Sequence, residues 1–257
     1  MSVRPNILIT GATGGFGRAV ARRFYDEGYY VDLTDLDADA LQELQHALGD
    51  PGRTFARVLD VTSPEQARTV CAAYAQAAGG GIQVLLNNAG ISAVGGFAAS
   101  RIAQTRAILD VNLFGVMNVT HAALPHLRGV AGAHIISVSS ASALHGNPEL
   151  PVYAATKRAI LSFSESLDIE LRGQGIRVSD LLPIYAETAI VHDVYTEHRV
   201  PPDIELSPAD IAEEVWDIVR TGRFRSYVGT DTKIFARLGC ILPYRVRRYV
   251  TRRVLGW

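Results

Sequence analysis

The sequence predicts an α/β protein, a doubly wound parallel sheet in a single domain, on three observations. Short apolar runs alternate with segments of helical periodicity along most of the chain. A glycine-rich turn, Gly11 to Gly17, joins the first run to the first helix. Strands separated by whole helices cannot pair as hairpins, so neighbouring strands run parallel and helices cover both faces. With 257 residues, 48% of them hydrophobic, the chain can bury one large core.

The elements follow in order. Ile7, Leu8 and Ile9 form the first strand, and Ala19, Val20 and Phe24 fall at helical spacing after the turn. Residues 30–33 read as a second strand, 40–48 as a helix closed by Gly49, and 55–59 as a third strand. Ser63-Pro64-Glu65-Gln66 announces a helix, with serine as cap, proline in the first turn and Gln66 completing a capping box. Residues 84–86 make the fourth strand, 102–124 one long helix and 135–138 the fifth strand. The next helix carries Ile160, Phe163, Leu167 and Leu171 as its core stripe and ends near Gly173 and Gly175. A strand at 178–182 follows, then a helix opened by Ser207-Pro208 with Ile211, Val215, Ile218 and Val219 on its inner side. Residues 184–206, polar and containing Pro201-Pro202, form the one long irregular stretch, which reads as a substrate loop within a domain spanning 1–257.

Composition narrows the function classes. A net charge of -1 gives no footprint for nucleic acid. Cys71 and Cys240 are too few and too distant for a metal centre or a disulfide framework, so no metal and a cytoplasmic location are expected. The N-terminal residues run directly into a strand, leaving no space for a secretory signal, and no uninterrupted apolar run reaches membrane-spanning length.

Two constellations carry chemistry. In the first, Thr10, Gly11, Thr13, Gly14, Gly15, Phe16 and Gly17 link strand to helix. Glycines at such a turn let backbone N–H groups approach a pyrophosphate at the helix N-terminus. Asp35, followed by Leu36, stands near the interval at which a carboxylate receives the adenosine ribose hydroxyls. Asp32 and Asp37 compete for that role. With no Arg or Lys beside it, Asp35 repels a 2′-phosphate, which favours NAD over NADP. In the second constellation, Tyr153 and Lys157 lie four residues apart on one helical face. A tyrosine ionises near pH 10 or so, and a fixed cation beside it stabilises the phenolate, making the phenol an acid or base of practical strength. Alone, such a pair is better explained by a solvated helix.

The motifs together resemble the short-chain dehydrogenase/reductase family over almost the whole chain. The turn fits its TGxxxGxG at Thr10, Gly11, Gly15 and Gly17. Asn87-Asn88-Ala89-Gly90 fits its NNAG, and Asp60-Val61 its adenine-contacting pair. Asn112, Ser139-Ser140, Tyr153 and Lys157 complete the set, and Ser140 is preferred over Ser139 because it stands thirteen positions before Tyr153. The resemblance implies a Rossmann fold. It implies Tyr153 as general acid or base, Lys157 lowering its pKa and binding the nicotinamide ribose, Ser140 on the substrate oxygen, and Asn112 holding a water that links Lys157 to solvent. Pro183 and Thr188 match the segment after the sixth strand, with Thr188 placed to contact the carboxamide, but Ile184 stands where the family has glycine. A β-branched residue does not adopt positive φ comfortably, so the backbone there is expected to differ.

By family position the substrate pocket is lined by Ser140, Leu144, His145, Tyr153, Tyr185, residues 92–96 and the 184–206 loop. The reading is an NAD-dependent oxidoreductase acting on a secondary alcohol and its ketone, a small molecule with apolar bulk. An NADPH-dependent ketone reductase and a non-catalytic nucleotide-binding regulatory module are the alternatives. A homodimer or homotetramer is expected from family habit. The segment 235–257 mixes Leu238, Val246 and Val250 with Arg237, Arg245, Arg248 and Arg252, the composition of a basic amphipathic helix. A surface packed on its own domain or a neighbouring subunit, a lid over the substrate, and a peripheral membrane contact are the three readings of it.

Overall fold

The computed structural model describes residues 4–183, 206–229 and 243–254. Seven parallel strands form one sheet in the order β3-β2-β1-β4-β5-β6-β7. They are β1 (Asn6–Thr10), β2 (Tyr30–Asp35), β3 (Thr54–Val58), β4 (Val84–Asn87), β5 (His134–Val138), β6 (Arg177–Pro183) and β7 (Arg225–Val228). The chain winds outward from β1 to β3, then returns to β1's other side with β4. This reversal opens a crevice beyond the C-terminal ends of β1 and β4, the place where open α/β sheets bind ligands.

One face of the sheet is covered by α1 (Gly15–Asp26), α2 (Ala38–Leu48) and α7 (Pro208–Thr221), through Phe24, Leu41, Leu44, Val215 and Ile218. The other is covered by α3 (Pro64–Ala77), α5 (Val116–Leu127) and α6 (Pro151–Leu171), through Val70, Tyr74, Val119, Leu127 and Leu171. In β1, Ile7 and Ile9 point to the first layer and Leu8 to the second, the alternation of a strand buried on both sides. A last helix, α8 (Tyr244–Val254), follows.

The structure revises several sequence expectations. The helix expected over 102–124 runs from Ile102 to Leu127 and is not uniform: α4 (Ile102–Leu109) passes through a π-helical turn, Asp110–Gly115, into α5. By length and composition this stretch could cross a membrane, yet its inner side, including Ile108, Asn112, Val119 and Ala123, lies buried in the fold. The capping box at α3 is half formed. Ser63 Oγ accepts from Gln66 N at 3.3 Å, but Gln66 Oε1 turns away to accept from Asp60 N at 2.9 Å. A complete box occurs instead at α7, between Ser207 and Asp210.

The edge strand β7 was not evident in the sequence. It is tied to β6 by a two-point ion pair, Arg225 Nε and Nη2 each 2.8 Å from the Asp180 carboxylate. Burial pushes the Asp180 pKa up and Arg225 pulls it back.

Candidate active site

The glycine turn is shaped by close approach. Gly11 has φ +65°, and a Cβ there would lie 2.8 Å from Ala89 Cα. A Cβ on Gly17 would lie 2.4 Å from the Gly11 carbonyl oxygen. Thr10 and Asn88 hold this turn to the end of β4. Thr10 Oγ1 accepts from the backbone N–H groups of Asn88 and Ala89 at 3.0 and 3.1 Å, and Asn88 Nδ2 donates to the carbonyls of Thr10 and Gly11 at 3.0 and 2.9 Å. Thr10 Oγ1 and Asn88 Nδ2 thus fix the turn against the end of β4. The Phe16 ring packs against the core below.

The donor set fits a dinucleotide. Where Asp37 and Ser63 cap α2 and α3, the N-terminus of α1 at Gly14 has no side-chain cap and no acidic residue in its first turn. Uncapped N–H groups at a helix N-terminus favour anionic oxygens such as those of a pyrophosphate. Asp35 ends β2 beside them: Oδ2 accepts from Thr13 N at 3.0 Å and Thr13 Oγ1 at 2.6 Å, and Oδ1 from Leu36 N at 2.8 Å. The two competing aspartates are occupied elsewhere. Asp32 is fully buried and ion-paired with Arg57 at 2.6 Å, while Asp37 caps α2. Asp60 Oδ1 accepts from Thr62 N and Oγ1 at 2.9 and 2.7 Å, and the carbonyl of Val61 accepts from Asn118 Nδ2 at 3.0 Å.

The second constellation assembles where β5, the π turn and the first turns of α6 meet. Ser140 follows β5 and begins a short 3-10 turn (Ala141–Ala143), accepting from Ser142 N at 3.1 Å. Ser140 also lies near the Tyr153 phenol, whose ionised form it favours. The cap reading and the catalytic reading of Ser140 are thus compatible. Ser139 points the other way, its buried hydroxyl donating to the Lys157 carbonyl at 2.9 Å. Lys157 is 4% exposed; its Nζ donates to the Val138 carbonyl at 2.8 Å and stands 5.6 Å from the Tyr153 ring centroid.

Asn112, fully buried on the π turn, grips the chain after Gly90 as one strand grips another. Its Oδ1 accepts from Ile91 N and its Nδ2 donates to Ile91 O, both at 2.8 Å. The same Nδ2 reaches Thr156 Oγ1 at 3.3 Å. Gly90 fits between the two groups: a Cβ there would be 3.4 Å from Asn112 Oδ1 and 3.5 Å from Lys157 Nζ. Sequence reasoning passed over Thr156 and Ile91. The only hint of Thr156 is its place inside the Tyr153–Lys157 turn, on the buried side.

The electrostatics differ from the expectation in one respect. Burial pushes the Tyr153 phenol above its ordinary value, and the group that draws it back is Ser140 rather than Lys157. Burial also lowers Lys157 to about 8. Desolvation dominates both because it opposes whichever form is charged.

His145 Nδ1 lies 3.2 Å from the Gly146 carbonyl, on the segment leading into α6, and Leu144 packs beside Leu161 and Leu182. Pro183 ends β6, buried. Ile184, Tyr185, Thr188 and the 184–205 part of the expected substrate loop lie outside the described residues.

The crevice at the strand reversal, the uncapped α1 and the acidic end of β2 define a dinucleotide-binding α/β protein, and the comparisons carry this to a family. A model described as short chain dehydrogenase matches residues 5–199. The chain is 32% identical over 250 residues to a 3-oxoacyl-(acyl-carrier-protein) reductase of Thermotoga maritima, covering 97% of this chain and 94% of that one. It is 32% identical over 219 residues to an NADP-dependent 3-hydroxy acid dehydrogenase of Escherichia coli, covering 82% and 87%. A Burkholderia phymatum short-chain dehydrogenase/reductase solved with NAD superposes with a TM-score of 0.82 at 25% identity, covering 91% of this chain and 92% of that one. The chain belongs to the short-chain dehydrogenase/reductase family, and it is an NAD(P)-dependent oxidoreductase acting on hydroxyl and carbonyl groups.

Proposed function

We propose that the protein interconverts a secondary alcohol and its ketone with NAD, Tyr153 serving as the proton-transfer group. The nicotinamide cofactor supplies the hydride acceptor or donor. In oxidation, the alcohol O–H proton passes to Tyr153 as the carbonyl forms, and in reduction the same phenol returns it. Ser140, beside the phenol, hydrogen-bonds the substrate oxygen. Lys157 contributes a positive charge over the Tyr153 ring, and Asn112 holds the backbone of residues 90–91 against both.

The observation that carries this reading is the meeting of half-buried Ser140 and Tyr153 with buried Lys157, whose Nζ stands 5.6 Å from the phenol ring centroid. A pure nucleotide-binding module would gain nothing from a nearly fully buried ammonium beside a phenol. Asp35 supports NAD, since its carboxylate stands fixed beside the glycine turn where a 2′-phosphate would meet like charge. Ile91, Val94 and Phe97, all substantially exposed on the segment after Gly90, favour a substrate with apolar bulk. We read the chain 1–257 as one catalytic unit with 184–206 as its substrate loop, working in the cytoplasm as a homodimer or homotetramer, with the basic C-terminal helix as a peripheral contact surface outside the catalytic apparatus.

Steady-state turnover of a panel of secondary alcohols and ketones by wild type, Tyr153→Phe and Ser140→Ala, with NADH and NADPH binding followed by fluorescence, tests the reading. Tyr153→Phe should lose at least about a thousandfold in kcat and Ser140→Ala about a hundredfold, with cofactor affinity nearly unchanged. Tighter NADPH than NADH binding would overturn the role given to Asp35. Turnover indifferent to Tyr153 would overturn the mechanism.

A further inference from the structure

We propose that α8 (Tyr244–Val254) is an interfacial helix that binds the protein to anionic lipid surfaces. Its eleven residues include Arg245, Arg247, Arg248, Arg252 and Arg253 and no carboxylate. The whole chain has 25 basic against 26 acidic side chains, so outside this helix the balance is 20 against 26. A chain that is acidic elsewhere has gathered a fifth of its positive charge into one short helix.

The charge is arranged, not scattered. Arg245, Arg248 and Arg252, at spacings of three and four, form one exposed stripe along the helix. Beside that stripe stand Val246 and Tyr249, 44% and 61% exposed, with the Arg253 guanidinium 5.6 Å from the Tyr249 ring centroid. Tyrosine and arginine together suit the headgroup level, where a ring takes the apolar side and guanidinium groups meet phosphate. Eleven residues rise only about 16 Å, half a bilayer core, so the helix lies along a surface instead of crossing it.

Charge complementarity selects the occupant. A second copy of this chain is the poorer fit, because some of the carboxylates it would offer are already paired with local arginines, as in Arg23–Glu213 and Arg223–Asp217, and its acidic body leaves Val246 and Tyr249 without an apolar counterpart. A nucleic acid would use the arginines but has no call for exposed Val246 and Tyr249 beside them. An anionic bilayer uses both. The cytoplasmic leaflet offers that surface, and each arginine near it strengthens partitioning about fivefold at moderate salt.

The test is sedimentation of the full chain with vesicles of phosphatidylglycerol and phosphatidylcholine, against phosphatidylcholine alone, at low and physiological salt. Binding to the anionic vesicles only, weakening with salt, is expected. The triple reversal Arg245→Glu, Arg248→Glu, Arg252→Glu should lower it at least about a hundredfold, and Tyr249→Ser several-fold, with circular dichroism, cofactor affinity and lipid-free turnover unchanged. No sedimentation with anionic vesicles at low salt overturns the proposal. So does binding that is equal on neutral vesicles, a mobility shift with RNA or DNA without vesicle binding, or a change in oligomer mass on charge reversal without vesicle binding. The readout is physical association, so the assignment of substrate or cofactor can fail without affecting it.

Discussion

Replacing Lys157 with methionine should abolish useful turnover and at the same time stabilise the protein at neutral pH. Lys157 is 4% exposed, and burial lowers its pKa from 10.5 to about 8. The unfolded chain therefore holds this proton more tightly than the folded one, so the protonated lysine opposes folding. Below pH 8 or so the opposition is complete, about 3 kcal/mol from the shift at 1.36 kcal/mol per unit. It lifts as pH rises from the folded value toward 10.5, because the folded state sheds its proton first. Against this stands the bond from Nζ to the Val138 carbonyl, 2.8 Å long, which as a charge-assisted bond contributes about 1.5–3 kcal/mol. Lys157→Met, of similar length and apolar, should thus gain up to about 1–2 kcal/mol over wild type at pH 7. Between pH 7 and pH 9.5 or so, wild type should recover about 2 kcal/mol relative to the variant. Urea unfolding of both cofactor-free proteins across this range measures the difference directly. A variant less stable by a constant amount at every pH would refute the reasoning, since it would mean that Lys157 is folded into a solvated site.

Two further substitutions probe the scaffold of the site. Gly17→Ala should cost about 2–4 kcal/mol in urea unfolding and weaken cofactor binding at least about tenfold, because the new Cβ would lie 2.4 Å from the Gly11 carbonyl oxygen and 2.6 Å from Ala12 Cα; a loss under about 0.5 kcal/mol would show that the turn can relax. Asn112→Leu keeps the volume but removes both bonds to Ile91, leaving a partly buried backbone N–H and C=O without partners, so about 2–4 kcal/mol of stability and the hydrogen-exchange protection of the Ile91 amide should go together.

What could be read in the sequence was local chemistry repeated at the right period. The first six strands and the helices around them declare themselves through apolar runs and turn residues, and Ser207-Pro208 and Gly49 mark helix ends where the structure has them. The failures have physical causes. Arg225–Val228 opens on a charged residue because its partner, Asp180, lies inside the neighbouring strand, so the pairing that makes it a strand is 45 residues away. The π turn at Asp110–Gly115 leaves no mark on the sequence pattern, since one widened turn shifts the register without changing residue type. Only the structure shows that Asn112 sits on that widened turn, with its amide spent on Ile91. Asp35 was separated from Asp32 by spacing alone; the ion pair with Arg57 that removes Asp32 from contention spans two strands and is tertiary.

The same distinction decides the electrostatics of the central pair. A spacing of four residues places a phenol and an ammonium on one face, and from that alone the ammonium should depress the phenol. Burial reverses the balance: it raises Tyr153, lowers Lys157 and so disfavours charge on both. The ammonium is directed to the Val138 carbonyl and over the ring face, while the group that favours the phenolate is Ser140, on a different element. The proton on Tyr153 is therefore held by desolvation, with Ser140 favouring its release. Burial likewise makes protonated Lys157 unfavourable for folding. The instability assigned to Lys157 and the raised pKa of Tyr153 share one physical cause, desolvation on the inner side of the helical turn that packs between β5 and the π turn.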